Sequence, residues 1–215
     1  MDIVDPRIED YLRGLYGGDH PVAEEMERQA EESGFPIVGR LVGMTLELLA
    51  RSVGARRILE LGSGFGYSAY WFARAVGEGG EVHMTEGDAG NQDRAMDLLG
   101  RAGLSDRVRP HVGDALEIID QLPGAFDVIF SDIDKGDYPR AWEKARERIR
   151  PGGLYLCDNV LWSGRVTQEE PQDDVRPGWT EAIRRHNQAV AADGAFASSV
   201  IPTRDGVMVA LRLPG

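Results

Sequence analysis

The chain is nearly without cysteine and nearly without lysine. Cys157 is the one cysteine in 215 residues. An intrachain disulfide and a cysteine-built zinc site are therefore excluded, and a reducing, cytoplasmic setting is the default expectation. Lys135 and Lys144 are the only lysines; arginine supplies the rest of the positive charge. Base is also scarce relative to acid: 24 Lys and Arg stand against 36 Asp and Glu, a formal charge of −12. Such a charge repels phosphate backbones at long range unless a local basic patch overcomes it. No apolar run approaches the length of a membrane span. The first six residues lack the basic start and apolar stretch of a signal peptide.

What is present is ordinary for a folded domain: 42% hydrophobic and 28% charged residues. The length suits a single α/β domain over 1–215. Residues 1–55 read as N-terminal helices, over 6–16, 21–32 and 38–53. In the last of these Val38, Leu41, Val42, Thr45, Leu48 and Leu49 fall on one face. From residue 56 onward strand and helix alternate. Short apolar runs predict strands over 57–61, 81–86, 107–111, 126–131 and 154–158, each covered on both faces. Helices are expected over 66–76, 89–102, 114–121, 138–149 and 179–192. Gly77-Glu78-Gly79-Gly80, Pro123-Gly124 and Pro151-Gly152-Gly153 punctuate the units. Strands over 196–201 and 207–213, joined by Thr203-Arg204-Asp205-Gly206, form a terminal hairpin. The pattern describes a Rossmann-like, doubly wound, mostly parallel seven-stranded sheet with an antiparallel C-terminal hairpin. Residues 162–177 show little pattern and read as a long loop of the kind that covers active sites.

The strand Ile58-Leu59-Glu60-Leu61 runs into Gly62-Ser63-Gly64-Phe65-Gly66-Tyr67-Ser68. A glycine-rich turn between strand and helix lets a ligand approach the backbone closely. The dinucleotide fingerprint G-x-G-x-x-G needs glycine where this chain has Tyr67. Glu60 would repel a pyrophosphate but suits an ammonium group. Glu86 ends the second strand, where a carboxylate can accept both ribose hydroxyls. Asp114 follows the third strand, placed to meet an adenine ring. A glycine turn alone is as often structural as functional. With an acid at three successive strand ends, the set fits S-adenosylmethionine.

The fourth strand ends in Ser131-Asp132-Ile133-Asp134-Lys135 and the fifth in Asp158-Asn159. Neighbouring parallel strands bring Asp132, Asp158 and Asn159 together as a hard, all-oxygen half-shell. That suits Mg²⁺, or Mn²⁺ or Ca²⁺, better than zinc. The alternative is that these acids cap helices or bind the cofactor. Lys135 lies three residues after Asp132. Arginine cannot act as a base, whereas a lysine beside a cation can accept a proton. Lys144, mid-helix beside Glu143 and Glu147, reads as a surface lysine.

Residues 59–68, Asp132-Ile133-Asp134-Lys135 and Asp158-Asn159-Val160-Leu161-Trp162-Ser163-Gly164 together resemble the cation-dependent O-methyltransferases, which include catechol and caffeoyl-CoA O-methyltransferases and many small bacterial members. The resemblance runs from about Phe35 to the terminal hairpin. It implies that Val38, Glu60, Gly62, Ser63, Ser68, Glu86, Ala115 and Asp134 contact S-adenosylmethionine. It implies Asp132, Asp158 and Asn159 as metal ligands, Lys135 as general base, and a homodimer. The plant branch carries Asn where this chain has Ser163. The catechol branch carries a Glu before the final hairpin, where this chain has Ala197-Ser198-Ser199. No particular acceptor therefore follows.

The leading expectation is methyl transfer to one hydroxyl of a vicinal diol on a small aromatic ring. The diol and metal lie under a cover made by the N-terminal helices and the loop after Trp162, with Trp162 either stacking on the ring or serving the core. One alternative acceptor is a hydroxylated wobble uridine in tRNA, with Arg56, Arg57, Arg184 and Arg185 as the patch. Another is a Rossmann-like dehydrogenase or a non-catalytic nucleotide-binding module, disfavoured by Tyr67 and by the intact Asp132, Lys135, Asp158 and Asn159 set.

Overall fold

The computed structural model describes residues 3–16, 20–169 and 176–215. Three helices come first: α1 (Pro6–Leu15), α2 (Pro21–Ser33) and α3 (Arg40–Ser52). Then β1 (Arg57–Leu61), α4 (Tyr67–Val76), β2 (Glu81–Glu86), α5 (Ala89–Arg101), β3 (Val108–Val112), α6 (Ala115–Gln121), β4 (Phe126–Ser131), α7 (Tyr138–Arg148) and β5 (Ile149–Cys157) alternate. The chain ends in α8 (Trp179–Ala192), β6 (Phe196–Ile201) and β7 (Val207–Arg212). The seven strands form one sheet in the order β3-β2-β1-β4-β5-β7-β6. The first five run parallel, and β7 joins β5 antiparallel. The expected doubly wound sheet with a reversed edge is the observed one.

The apolar runs of the central strands are continuous because both faces are covered. Ile58, Val128, Phe130, Leu154 and Leu156 pack beneath α2, α3, α4 and α5. The alternating residues Leu59, Leu61, Ile129, Tyr155 and Cys157 pack on the other side with Tyr138, Trp142 and Ile183. By this alternation Glu60 shares the face of Ile58. Local chemistry sets several helix ends. Asp88 Oδ1 accepts from Gly90 N at 2.7 Å and Asn91 N at 3.1 Å, opening α5. Gly34, at φ 67°, closes α2. Among the described residues α1 buries none of its own, and Ile8, Tyr11 and Leu15 are exposed.

Several boundaries differ from expectation. Helix α3 starts at Arg40 because Gly39, at φ 75°, caps it. Helix α4 starts at Tyr67, after Gly66 in the left-handed region. Strand β3 lies one residue later than expected because Ser105–Arg107 forms a short 3₁₀ turn ahead of it. The Pro151-Gly152-Gly153 break lies inside β5. Ile149 pairs with Phe126 and Leu154 with Val128, so residues 150–153 bulge opposite Asp127, with Gly152 at φ 75°. The patternless stretch after Leu161 contains a kinked 3₁₀ segment, Trp162–Thr167. Residues 170–175 of that expected loop lie outside the described residues. Among the described residues no helix is long and apolar enough to cross a membrane.

Asp127, opposite that bulge, ties three strands at the end remote from the glycine loop. Its Oδ2 accepts from Arg56 N at 2.7 Å and Arg57 N at 2.6 Å, and its Oδ1 accepts from Arg150 Nε. Burial alone would raise its pKa; the Arg150 and backbone hydrogen bonds outweigh burial and hold it below the usual carboxylate value. The stability this contributes is present above the unfolded value and lost as pH falls through the folded one. Asp127→Ala should destabilise the protein by about 3 kcal/mol in urea unfolding at neutral pH, since charge-assisted bonds are lost together. A loss under ~0.5 kcal/mol would mean that the tie is incidental.

Candidate functional site

Strands β1, β4 and β5 end level with one another. Leu61 pairs with Ser131, and Ser131 with Cys157. The next residues, Gly62, Asp132 and Asp158, therefore leave the sheet at the same height. Asp132 N donates to Leu61 O at 2.9 Å and Asp158 N to Ser131 O at 3.2 Å, which prolongs the ladder by one step. At this edge opens a cleft of about 770 Å³. Val38, Gly62, Ser63, Ser68, Glu86, Asp114, Ala115, Asp132, Asp134, Lys135, Asp158 and Asn159 all line it. Of the residues expected to bind cofactor or metal or to act as base, Glu60 alone is absent from the lining.

Glu60 lies beneath the glycine loop, fully buried. Among the described residues neither carboxylate oxygen has a hydrogen-bond partner, and the neighbouring Ser63 hydroxyl is likewise orphaned. Burial pushes the Glu60 pKa up to about 7, only partly offset by the nearby Ser68 and Ser63 hydroxyls. A buried carboxylate without partners fits an ammonium-bearing ligand held in the loop. Gly62 sits at φ 81°, and a Cβ there would come within 2.5 Å of the Asp132 carbonyl oxygen. The loop therefore abuts the end of β4 because residue 62 has no side chain. Tyr67, in place of a third glycine, points its hydroxyl at Glu27 Oε1, 2.5 Å away, and Glu27 also pairs with Arg40. The residue that breaks the dinucleotide fingerprint thus fastens α2 to the glycine loop. Glu86 Oε1 accepts from Asp88 N at 3.0 Å. Asp114, expected to face an adenine, also caps α6: its Oδ1 accepts from Leu116 N at 2.7 Å and Glu117 N at 3.1 Å.

At the other end of the cleft Lys135 Nζ donates to Asp132 Oδ1 at 2.8 Å and lies over the Tyr138 ring, 5.0 Å from its centroid. Lys135 is buried, with 9% exposure. Asp158 is 3% exposed, and its Oδ1 has no partner among the described residues. Burial, then the charge of Asp132, pushes its pKa above the usual carboxylate range. Asn159 follows at φ 56°. Among the described residues no three His, Cys, Asp or Glu side chains gather as a metal cluster. Two carboxylates and the Asn159 amide form a smaller set. Its orphaned, buried oxygen and all-oxygen chemistry nonetheless fit a hard divalent cation. Asp134 meets Arg176 Nη1 at 3.4 Å. Lys144, as expected, pairs on the surface with Asp120.

The cleft has walls that no motif announced. Phe35, Pro36 and Ile37 border the glycine loop, and Phe35 meets Phe65 edge to face at 5.1 Å. Arg204, at φ 50° in the hairpin turn, donates from Nη1 to Ile37 O at 2.6 Å, joining the two ends of the chain across the opening. Trp162 and Trp179 line it, 5.8 Å apart, and Trp162 also packs on the second core, as one of its two expected roles required. No sequence spacing relates positions 37 and 204; only the fold does. Two arginines of the patch named for the tRNA alternative lie apart. Arg57 is held by Glu81 and the Pro123 carbonyl at the far end of the sheet. Arg184 is turned onto the Val166 carbonyl at the cleft end.

A family model described as O-methyltransferase matches residues 17–213. A catechol O-methyltransferase of Niastella koreensis is 32% identical over 200 residues, covering 90% of this chain and 89% of the relative. Caffeoyl-CoA O-methyltransferase 1 of Eucalyptus globulus is 29% identical over 178 residues, covering 80% and 72%. Among solved structures, the O-methyltransferase TomG of Streptomyces achromogenes, in complex with S-adenosylmethionine, superposes with a TM-score of 0.86. It is 30% identical and covers 97% of this chain and 96% of that one.

The Glu60 burial gives a pH signature. Its folded pKa, about 7, lies above the ordinary 4.5. The folded state keeps a proton that the unfolded chain releases, so this contribution is full below about pH 4.5 and lost as pH rises through about 7. Glu60→Gln removes it. Between pH 5 and pH 8 the variant should gain about 3 kcal/mol on the parent in unfolding free energy. Other titrating groups are common to both proteins and cancel. Urea melts at the two pH values check this, and identical pH slopes would show that Glu60 is not the strained acid.

Proposed function

The chain belongs to the O-methyltransferase family, and from that premise we propose that it methylates one hydroxyl of a catechol-like vicinal diol on a small aromatic ring, using S-adenosylmethionine and a divalent cation. The observation that carries this reading is a single cleft joining the Glu60-floored glycine loop to Asp132, Lys135, Asp158 and Asn159.

Glu60, with Ser63 and Ser68, would receive the ammonium end of the methyl donor. Gly62 brings the backbone close. Glu86 would accept from the ribose hydroxyls, and Asp114 and Ala115 border the place for the adenine. Val38 and Asp134 would border the donor as further lining residues of the cleft. Asp132, Asp158 and Asn159 would hold the cation; when bound, it lowers the pKa of a diol hydroxyl and fixes both oxygens. Lys135 Nζ would take the hydroxyl proton as the oxygen bonds the methyl carbon and the methyl–sulfur bond breaks, leaving S-adenosylhomocysteine. Trp162 and Trp179 offer flat apolar walls to the ring, and Phe35 to Val38 exclude water from the donor. Much of the rate would come from holding the two reacting atoms at contact distance.

Nothing favours the tRNA acceptor: the chain carries −12, and Arg57 and Arg184 of the would-be patch are bound at opposite ends of the sheet. A homodimer remains part of this reading. The exposed apolar residues of α1 support it, and sedimentation of the full chain tests it.

Two substitutions test the assignment. Asp158→Ala should lower cation-dependent methylation of catechol by about 100-fold or more, while S-adenosylhomocysteine binding by calorimetry stays within about threefold. Activity that survives both this change and EDTA would remove the cation from the mechanism. Lys135→Arg keeps the positive charge beside Asp132 but cannot accept a proton. It should lower kcat by roughly 100-fold or more with little change in donor affinity. Parent-like kcat would reduce Lys135 to an ion-pair partner.

A further inference from the structure

Beneath the cleft lies a buried polar chain that the reading above does not use. Tyr138 is fully buried, and its hydroxyl donates to the Asp158 carbonyl oxygen at 2.9 Å. Two residues on, the Val160 carbonyl oxygen accepts from Asn187 Nδ2 at 2.7 Å. Between them stands Asn159, in the left-handed region at φ 56°. The opposite side of this turn is held by the hairpin: Val160 N donates to Gly206 O at 3.1 Å and Leu161 N to Asp205 O at 2.9 Å.

The chain of donors behind Asn187 has one consistent assignment. A carbonyl only accepts, so Asn187 must turn its NH₂ to Val160 and its Oδ1 to His186 Nδ1, 3.0 Å away. His186 Nδ1 must then carry the proton. Burial lowers the His186 pKa to about 4, so the ring is neutral at neutral pH and Nε2 is an acceptor. The Tyr155 hydroxyl, 3.0 Å from Nε2, must therefore donate to it. Donation runs in one direction, from β5 through α8 to the Val160 carbonyl, with no alternative tautomer that satisfies every group.

We propose that Tyr138 and Asn187 are positioning residues that hold the turn around Asn159 in the one backbone shape that faces Asp158 and Asn159 into the cleft. A left-handed asparagine is a conformation the chain leaves readily unless its flanks are over-determined. Here both flanking carbonyls are tied by side chains from α7 and α8. Partners behind metal ligands commonly govern affinity as strongly as the ligands do. This inference rests on the reading of Asp132, Asp158 and Asn159 as cation ligands.

The test uses the full chain with S-adenosylhomocysteine and Mn²⁺ as the probe, with free Mn²⁺ read by electron paramagnetic resonance. Tyr138→Phe, which deletes a single oxygen, and Asn187→Ala should each raise the Mn²⁺ dissociation constant by about tenfold or more. The S-adenosylhomocysteine dissociation constant should stay within about twofold of the parent, since the glycine loop is untouched. Mn²⁺ affinity unchanged in both variants overturns the positioning role. So does a parallel loss of Mn²⁺ and S-adenosylhomocysteine binding in Tyr138→Phe, which would mark a general loosening of the fold. If Asn187→Ala does not fold, Tyr138→Phe decides alone. Asp158→Ala separates this inference from its premise: parent-like Mn²⁺ binding there refutes the cation site itself and the positioning role with it. Lost binding there, beside unchanged binding in the other two, refutes only the positioning role.

Discussion

The in-register parallel pairing of β1, β4 and β5 is the constraint on which the rest depends. Because Leu61, Ser131 and Cys157 lie on one level, the chain exits the sheet three times at the same edge. One residue later each exit supplies a residue of the cleft lining: Gly62, Asp132 and Asp158. A slip of one residue in any of these strands would turn its exit toward the opposite face, because side chains alternate. The tie at Asp127 guards this register from the other end, where one carboxylate binds the backbone of β1 and the side chain of Arg150 on β5.

The second theme is buried carboxyl groups with oxygens that no hydrogen bond satisfies among the described residues. Glu60 and Asp158 are nearly inaccessible and keep orphaned oxygens. In an apolar interior such groups are destabilising. They persist because the surrounding sheet and helices form two well-packed layers that hold them in place. On the proposed reading, that cost is what a cationic ligand would recover on binding.

The near-absence of lysine takes on meaning against the arginines. Arg148 donates to the carbonyls of Ile119, Leu122 and Gly124, Arg212 to that of Ile149, Arg184 to that of Val166. A planar guanidinium with several donors suits this pinning of loop ends. Lys144 is a surface ion-pair partner. Lys135 differs in kind: buried, paired with Asp132 and set over the Tyr138 ring.

The sequence by itself determined what is local. Strand and helix follow from apolar runs and periodicity, the glycine turn from Gly62 to Gly66, and the strand-end acids from their place just after each run. These depend on neighbours a few residues apart, so a linear reading reaches them. It missed the bulge at 150–153, because Pro-Gly-Gly signals a break whether the strand ends or merely swells. It saw Tyr67 only as a missing glycine, while the fold uses its hydroxyl to bind Glu27. It assigned Asp114 to a ligand without the α6 cap. Tertiary structure alone decided which acids are buried without partners, that Arg204 reaches Ile37, and that Tyr138 and Asn187 hold the turn at Asn159. Those pairings join residues tens to more than a hundred positions apart. Their geometry is the sum of strand register, helix packing and loop length, and no spacing in the sequence carries that sum.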